Sequence, residues 1–260
     1  MSATSDAECR ALETGYSVAA LAQMEQLLSD LGRLYRERNE ALLEVASAQR
    51  ETLMRLARAA ELRDDDTGVH IVRMGHLCAE LAMLMGESEA YAALLRHAAP
   101  MHDVGKIGIS DSVLKKPGPL TAEERTEMQK HPLIGAEIIG GSQIELFRLA
   151  AELAASHHER WDGRGYPHGL AGEAIPLSGR IVAVIDVLDA LTMDRCYRPA
   201  FTDAQALQMI ALERGRSFDP RIVDCVLDNA HRLIALRDAV NRQEGVARTA
   251  AARDASSGVV

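Results

Sequence analysis

From Leu21 onward, apolar side chains recur at alternating spacings of three and four: Leu21, Met24, Leu28, Leu31, Tyr35, Leu42, Val45 and Leu56. Arg38, Gln49 and Thr52 fill the remaining places of the same register. That period lines the positions along one stripe of a helix. No proline precedes Pro100, so nothing breaks the stretch. The pattern predicts one long amphipathic helix over residues 1–60. Two partners for its stripe remain open: a second helix in a short coiled coil, or the chain's own domain. Arg38 and Gln49 in the seam argue against a strong, self-sufficient zipper.

Beyond residue 61 nearly every periodic segment again reads as helix. VHIVRMGHLCAELAMLMG ends in glycine, and SEAYAALLRHAAPMHDVGK ends near Gly105. LTAEERTEMQKHPLIGAEIIGG opens with Thr121 and carries Glu124 three residues later, a capping-box spacing. IELFRLAAELAASHHE delivers His157 and His158 at its C-terminal end. SGRIVAVIDVLDALTM mixes β-branched residues with helical spacing; helix is preferred because Asp186 and Asp189 then share a face. TDAQALQMIALERG and DPRIVDCVLDNAHRLIALRDAV complete an all-α array. The small, polar tail from about Arg242 is expected to be disordered.

Composition narrows the function classes. The apolar fraction of 47% and charged fraction of 26% are ordinary for a globular protein. A net charge of −9 argues against a nucleic-acid polymer as partner, because phosphate backbones need a basic face. A local cation cluster or a metal can still hold a small anion. No run reaches the ~18 uninterrupted apolar residues of a membrane span. The opening MSATSDAECRALETGYSVAA lacks the basic-then-apolar order of a secretory signal. Cys9, Cys78, Cys196 and Cys225 are scattered without a CxxC pair, which fits a reducing compartment. A cytoplasmic chain without membrane association is expected.

HHERWDGRGYP, residues 157–167, concentrates two adjacent histidines, a glutamate and the chain's one tryptophan. Gly163 and Gly165 are expected to permit turn conformations that other residues resist, and Trp161 to pin the loop to the core. Other histidines also lie beside possible co-ligands: His70 follows RDDDTG, His102 adjoins Asp103, and His131 precedes a proline. Asp186 lies on the next periodic segment. Imidazole mixed with carboxylate suits iron, manganese, zinc or nickel, with no thiolate to favour a soft ion. A carboxylate such as Asp103 can bridge two ions. Two ions roughly 3.5–4 Å apart can clamp the oxygens of an in-line displacement at phosphorus. His76, His97, His168 and His231 have no such context and read as ordinary core or surface residues.

HDVGKIGI, KPGPLTAEE, MQKHPLIGAEII, HHERWDGRGYPHGLAGEAIPLSGRIVAVIDVLDALT, RCYRPAF and FDP follow in that order. From about Glu61 to Val226 the chain thereby resembles the HD-GYP phosphodiesterases, a branch of the HD superfamily of metal-dependent phosphohydrolases. Gly165, Tyr166 and Pro167 are the tripeptide of that name. The resemblance implies an HD-superfamily helical bundle that binds two divalent metals, iron or manganese, and hydrolyses cyclic di-GMP to linear pGpG, which many members carry onward to GMP. The ligands it implies are His70, His102, Asp103, His131, His157, His158 and Asp186, with Asp103 bridging. Asp66 stands where three-metal members carry a glutamate.

The resemblance further implies a metal-bridging hydroxide as attacking group, with cations placed to meet charge on the phosphoryl oxygens. Lys106 would contact the phosphate and assist the leaving oxygen. Arg195 and Arg198 would grip phosphate or guanine, a task suited to a planar fork. Tyr166 would shape the cleft, and Asp189 would orient a ligand or the attacking water. Two alternatives stay open: the same chemistry on cyclic GMP-AMP, and a non-catalytic dinucleotide-binding module. The complete ligand set weighs against the second. The expected organisation is an N-terminal helical extension over 1–60 that forms a homodimer, an HD-GYP catalytic domain over 61–240, and a disordered tail over 241–260.

Overall fold

The computed structural model describes residues 3–63, 68–193 and 199–257, with side chains from 18 to 245 within those limits. Among the described residues the regular elements are helical. They are α1 (Ala3–Glu61), α2 (Val69–Leu84), α3 (Glu89–Ala98), α4 (Asp111–Leu114), α5 (Ala122–Met128) and α6 (His131–Ile139). Then follow α7 (Glu145–Ser156), α8 (Leu177–Thr192), α9 (Asp203–Leu212), α10 (Pro220–Asp228) and α11 (Ala230–Ser257). Short 3-10 turns at Ala99–Met101 and Val104–Gly108 connect α3 to α4.

Two compact units divide the chain, residues 1–51 and 52–260. The first is a continuous stretch of α1, and its apolar seam is exposed: Leu21, Met24, Leu28, Leu31, Tyr35, Leu42 and Val45 are each more than half accessible. The boundary falls earlier than residue 60 because Leu53, Ala57 and Ala60 are buried in the core of the second unit. The last turns of α1 therefore belong to the domain they lead into.

That core is built by α2, α3, α7 and α8. Their apolar faces bury Ile71, Met74, Leu77, Leu81, Leu95, Leu153, Ile181 and Ile185 to 1% exposure or less. Each such side chain contributes about 1.5–3 kcal/mol on leaving water. Ile210 on α9, Ile222 on α10 and Leu233 on α11 extend the same cluster.

Local chemistry sets the breaks. Pro100 lies in the turn that follows α3, so the predicted helix through Gly105 stops short and continues as 3-10 turns. The segment expected as one helix from Thr121 is two. Thr121 caps α5 with the full capping box, its hydroxyl accepting from the Glu124 amide at 3.3 Å, and Pro132 opens α6. A second capping box, Thr202 with Gln205, starts α9. The region expected as a loose tail is helical in backbone through Ser257. Alanine, the best helix former, recurs there at 247, 250, 251, 252 and 255.

Candidate metal centre

Five separate segments bring ligand-competent side chains to one place. His70 comes from the first turn of α2, His102 and Asp103 from the turns after α3, and His131 from the start of α6. His157 and His158 follow the end of α7, and Asp186 stands on α8. Asp103 and α6 come together because Gly105 lets two backbones touch. A Cβ there would sit 1.9 Å from the His131 carbonyl oxygen and 2.4 Å from the Gly135 nitrogen.

The potential ligand atoms form two groups, Asp103–His131–His157–His158 and His70–His102–Asp186, and within each all lie within 4.8 Å of one another. Asp103 divides its carboxylate between them. Its Oδ1 is 3.2 Å from His131 Nε2 and 3.6 Å from His157 Nε2, while its Oδ2 is 3.2 Å from His102 Nε2. Asp186 Oδ1 lies 3.6 Å from His70 Nε2 and 3.8 Å from His102 Nε2.

The imidazoles are held from behind. His102 Nδ1 faces the Ala99 carbonyl at 3.0 Å, His131 Nδ1 that of Met128 at 2.8 Å, and His157 Nδ1 that of Ala154 at 2.9 Å. A carbonyl only accepts, so each Nδ1 carries the proton and each Nε2 turns its lone pair inward. His70 Nδ1 makes the equivalent contact to Asp189 Oδ2 at 2.7 Å. Asp189 is 1% exposed and also pairs with Arg73. It thus supports His70 from outside rather than facing the cleft.

The result is a set of acceptors pointed at acceptors. His102 Nε2 and Asp103 Oδ1 are buried and take no hydrogen bond among the described residues, a costly arrangement that cations resolve. Burial pushes His157 and His158 down, which keeps them in the neutral form that ligates metals. Burial opposes charge on His70, but Asp189, Asp186 and Glu61 together push its pKa up to about 9. Burial likewise opposes charge on Asp103, but Lys106 and then His102 hold its carboxyl well below the usual range. Lys106 Nζ is 2.9 Å from Asp103 Oδ2. The donor set, nitrogen and oxygen with no sulfur, fits divalent metal ions.

The loop from 157 to 172 closes one side. Tyr166 stacks on His158, ring centroids 4.7 Å apart and 25° between planes. Buried Glu159 accepts from the amides of His168 at 2.7 Å and Leu170 at 3.0 Å, fastening the loop beside the paired histidines. The Trp161 amide donates to the Ser217 carbonyl at 3.0 Å, and the Arg180 guanidinium lies 5.9 Å over the Trp161 ring. Gly163 has φ +77°, the conformation expected of it. Gly165 serves differently: its Cβ would meet the Arg160 nitrogen at 2.3 Å and Glu159 Cα at 2.6 Å, so it is needed for close approach.

The sequence profile of the HD domain matches residues 22–222. This chain belongs to the HD domain family. This HD domain protein is 52% identical over 184 residues to the cyclic di-GMP phosphodiesterase response regulator RpfG of Xanthomonas campestris pv. campestris, covering 71% of this chain and 49% of that protein. It is 40% identical over 236 residues to the 3'3'-cGAMP-specific phosphodiesterase 2 of Vibrio cholerae, covering 86% of this chain and 45% of the relative. The chain thus spans about half the length of the curated relatives it matches. A crystal structure of the cyclic GMP-AMP specific phosphodiesterase V-cGAP3 of V. cholerae shares the fold, with a TM-score of 0.53 at 23% identity over 74% of this chain and 52% of that one.

The structure brings together His70, His102, Asp103, His131, His157, His158, Asp186, Lys106 and Tyr166. Asp66, Arg195 and Arg198 lie outside the described residues. Sequence reasoning gave no part to Arg73, Glu159 or Asn241. Arg73 had a visible signal, lying three residues after His70 and so on its helix face. Glu159 stood inside the quoted motif. Asn241 had none.

Proposed function

We propose that this HD domain protein is a metal-dependent phosphodiesterase that hydrolyses cyclic di-GMP to linear pGpG. One observation carries the reading: seven imidazole and carboxylate groups gather in two sets, and one of the seven, Asp103, turns an oxygen to histidines of each set. Its similarity to RpfG, named a cyclic di-GMP phosphodiesterase, supports the substrate class.

In this reading His131, His157 and His158 would hold one divalent ion, His70, His102 and Asp186 would hold the other, and Asp103 would serve both sets. Iron or manganese fits the ligand mixture, and Asp66 would serve a third ion. Bound there, such ions supply Lewis acidity and an activated water for attack at phosphorus. The chain's own groups do the rest. Lys106, anchored on Asp103, binds a phosphoryl oxygen and donates a proton to the departing 3′ oxygen. Tyr166 shapes the cleft beside His158, and Asp189 fixes His70 rather than meeting substrate. Arg195 and Arg198 take phosphate or guanine. The protein works in the cytoplasm; no helix among the described residues is long and apolar enough to cross a membrane.

A second reading keeps the chemistry and changes a base, because the cGAMP-specific relative aligns over 86% of this chain. Anaerobic purification with iron or manganese, metal counting, and parallel incubation with cyclic di-GMP and 3',3'-cyclic GMP-AMP decide the matter. Two or more ions per chain and preferred cleavage of cyclic di-GMP, abolished in His102→Ala–Asp103→Ala, are expected. Preferred cleavage of cyclic GMP-AMP selects the second reading. Tight dinucleotide binding without turnover of either would make the protein a binding module.

A further inference from the structure

The two nitrogens of the His70 ring face different neighbours. Nε2 looks toward Asp186, at 3.6 Å, while Nδ1 looks away from that group, to Asp189 Oδ2 at 2.7 Å. Asp189 is in turn gripped by Arg73 from the next turn of α2. Nε donates to Oδ1 at 2.6 Å and Nη2 to Oδ2 at 2.7 Å. Arg73 Nη1 then donates to Asn241 Oδ1 on α11 at 3.1 Å. Arg73 is 2% exposed and Asp189 1%. A buried ion pair of this kind adds little stability over apolar residues of similar volume, so its presence calls for another role.

Geometry supplies one. A carboxylate turns easily about its terminal torsion, and alone it would leave the imidazole plane loosely set. A two-pronged guanidinium fixes the carboxylate plane, and Asn241 fixes the guanidinium at its far end. Asn241 stands beyond residue 222, where the match to the family profile ends. The C-terminal helix is therefore part of the support of the centre.

We propose that Arg73 and Asn241 are positioning residues for the His70–His102–Asp186 group: through Asp189 they set the orientation and tautomer of His70, and so that group's affinity for a divalent ion. The inference rests on the metal reading above, but not on the identity of the substrate.

The test is Mn2+ binding to the full chain, stripped with chelator and titrated by calorimetry, with melting of the metal-free protein measured alongside. Arg73→Lys keeps the charge and loses the fork; Asn241→Ala leaves the Asp189 pair intact. Arg73→Lys is expected to weaken one of two Mn2+ sites by about 10- to 100-fold, the usual effect of an outer contact, and to leave the other unchanged. Asn241→Ala is expected to weaken the same site by a smaller factor. In a His158→Ala background, where the other group is crippled, Arg73→Lys then weakens what binding is left. Two sites at wild-type affinity in both variants would overturn the proposal. So would equal weakening of both sites alongside a lower metal-free melting point, which marks a packing role alone. If Arg73→Lys does not fold, Asn241→Ala decides. A wild-type chain that binds no Mn2+ removes the metal reading itself and this inference with it. Failure to cleave cyclic di-GMP leaves this test untouched.

Discussion

Asp103 serves two groups of imidazoles at once, one carboxylate oxygen for each, with Lys106 2.9 Å from the oxygen shared with His102. Asparagine at this position would keep one oxygen and present to the other group an amide N–H, which donates to the imidazole lone pairs but cannot bind a cation. Asp103→Asn is therefore expected to cost more than the about 10- to 100-fold in metal affinity of an outer-contact change, at both sites, and with it the proposed cyclic di-GMP hydrolysis. Metal counting per chain checks it. Gly165 answers to a different constraint. An added Cβ would lie 2.3 Å from the Arg160 nitrogen, backbone that cannot step aside. Gly165→Ala is expected to destabilise by about 1–3 kcal/mol as overpacking does, visible as a lower melting temperature, and to lower turnover by shifting Tyr166 off His158. The ligand types were legible in the sequence because histidines and aspartates in a family's order announce themselves. The need for Gly165 was legible, but its reason was not: a residue string records turns better than close backbone approach. Arg73 and Glu159 went unread because their partners are a side chain over a hundred residues away and two backbone amides.

Helix ends carry this site, so what stops each helix matters as much as what forms it. His157 caps α7, His131 opens α6 just before Pro132, and His102 sits where Pro100 has turned α3 into 3-10 geometry. Periodicity predicted most of the helices but left α8 open because of its β-branched residues; a shared face for Asp186 and Asp189 decided for helix there, and both do turn toward His70. It fused α5 with α6, because an apolar pattern can continue across a break that capping and proline impose. α10 illustrates the balance of local and distant contacts. Buried Asp219 caps it, accepting from the Arg221 amide at 2.9 Å, and pairs with Arg180 Nη1 at 2.7 Å, whose guanidinium lies over Trp161 of the loop. Burial opposes the charge on Asp219, but Arg221 and Arg180 hold its carboxyl below the ordinary 3.8. A depressed folded value means the unfolded chain binds the proton more readily. The stabilisation is thus present above about pH 4 and is lost as pH falls through the folded value. Asp219→Asn keeps an acceptor for the cap but loses the charge paired with Arg180, and is expected to lower stability at neutral pH by about 1.5–3 kcal/mol, the contribution of a hydrogen bond to a charged group. It is also expected to flatten the fall in melting temperature between about pH 5 and pH 2. An unchanged acid slope would remove Asp219 from the account.

At the scale of the molecule, α1 is the feature that the chemistry does not use. It runs for 59 residues, and its stripe of leucines is exposed along residues 21–45. A helix with an open apolar face is marginal by itself in water, and most helical stability comes from packing such a face. Every third or fourth position supplies that face, yet Arg38 and Gln49 interrupt it, which favours partner selection over strength. A second copy presents the same stripe in register, and closed pairs are the commonest protein assembly. We expect two chains per particle in sizing chromatography with light scattering at tens of micromolar. Leu28→Glu–Leu31→Glu, which sets charges against one another in the seam, is expected to yield single chains that keep the metal content of the wild type. The ligand set lies wholly in the other compact unit, from residue 52 onward, so metal content reports on the domain independently of pairing. A wild-type particle of one chain at that concentration would end the dimer reading and leave the stripe to another protein.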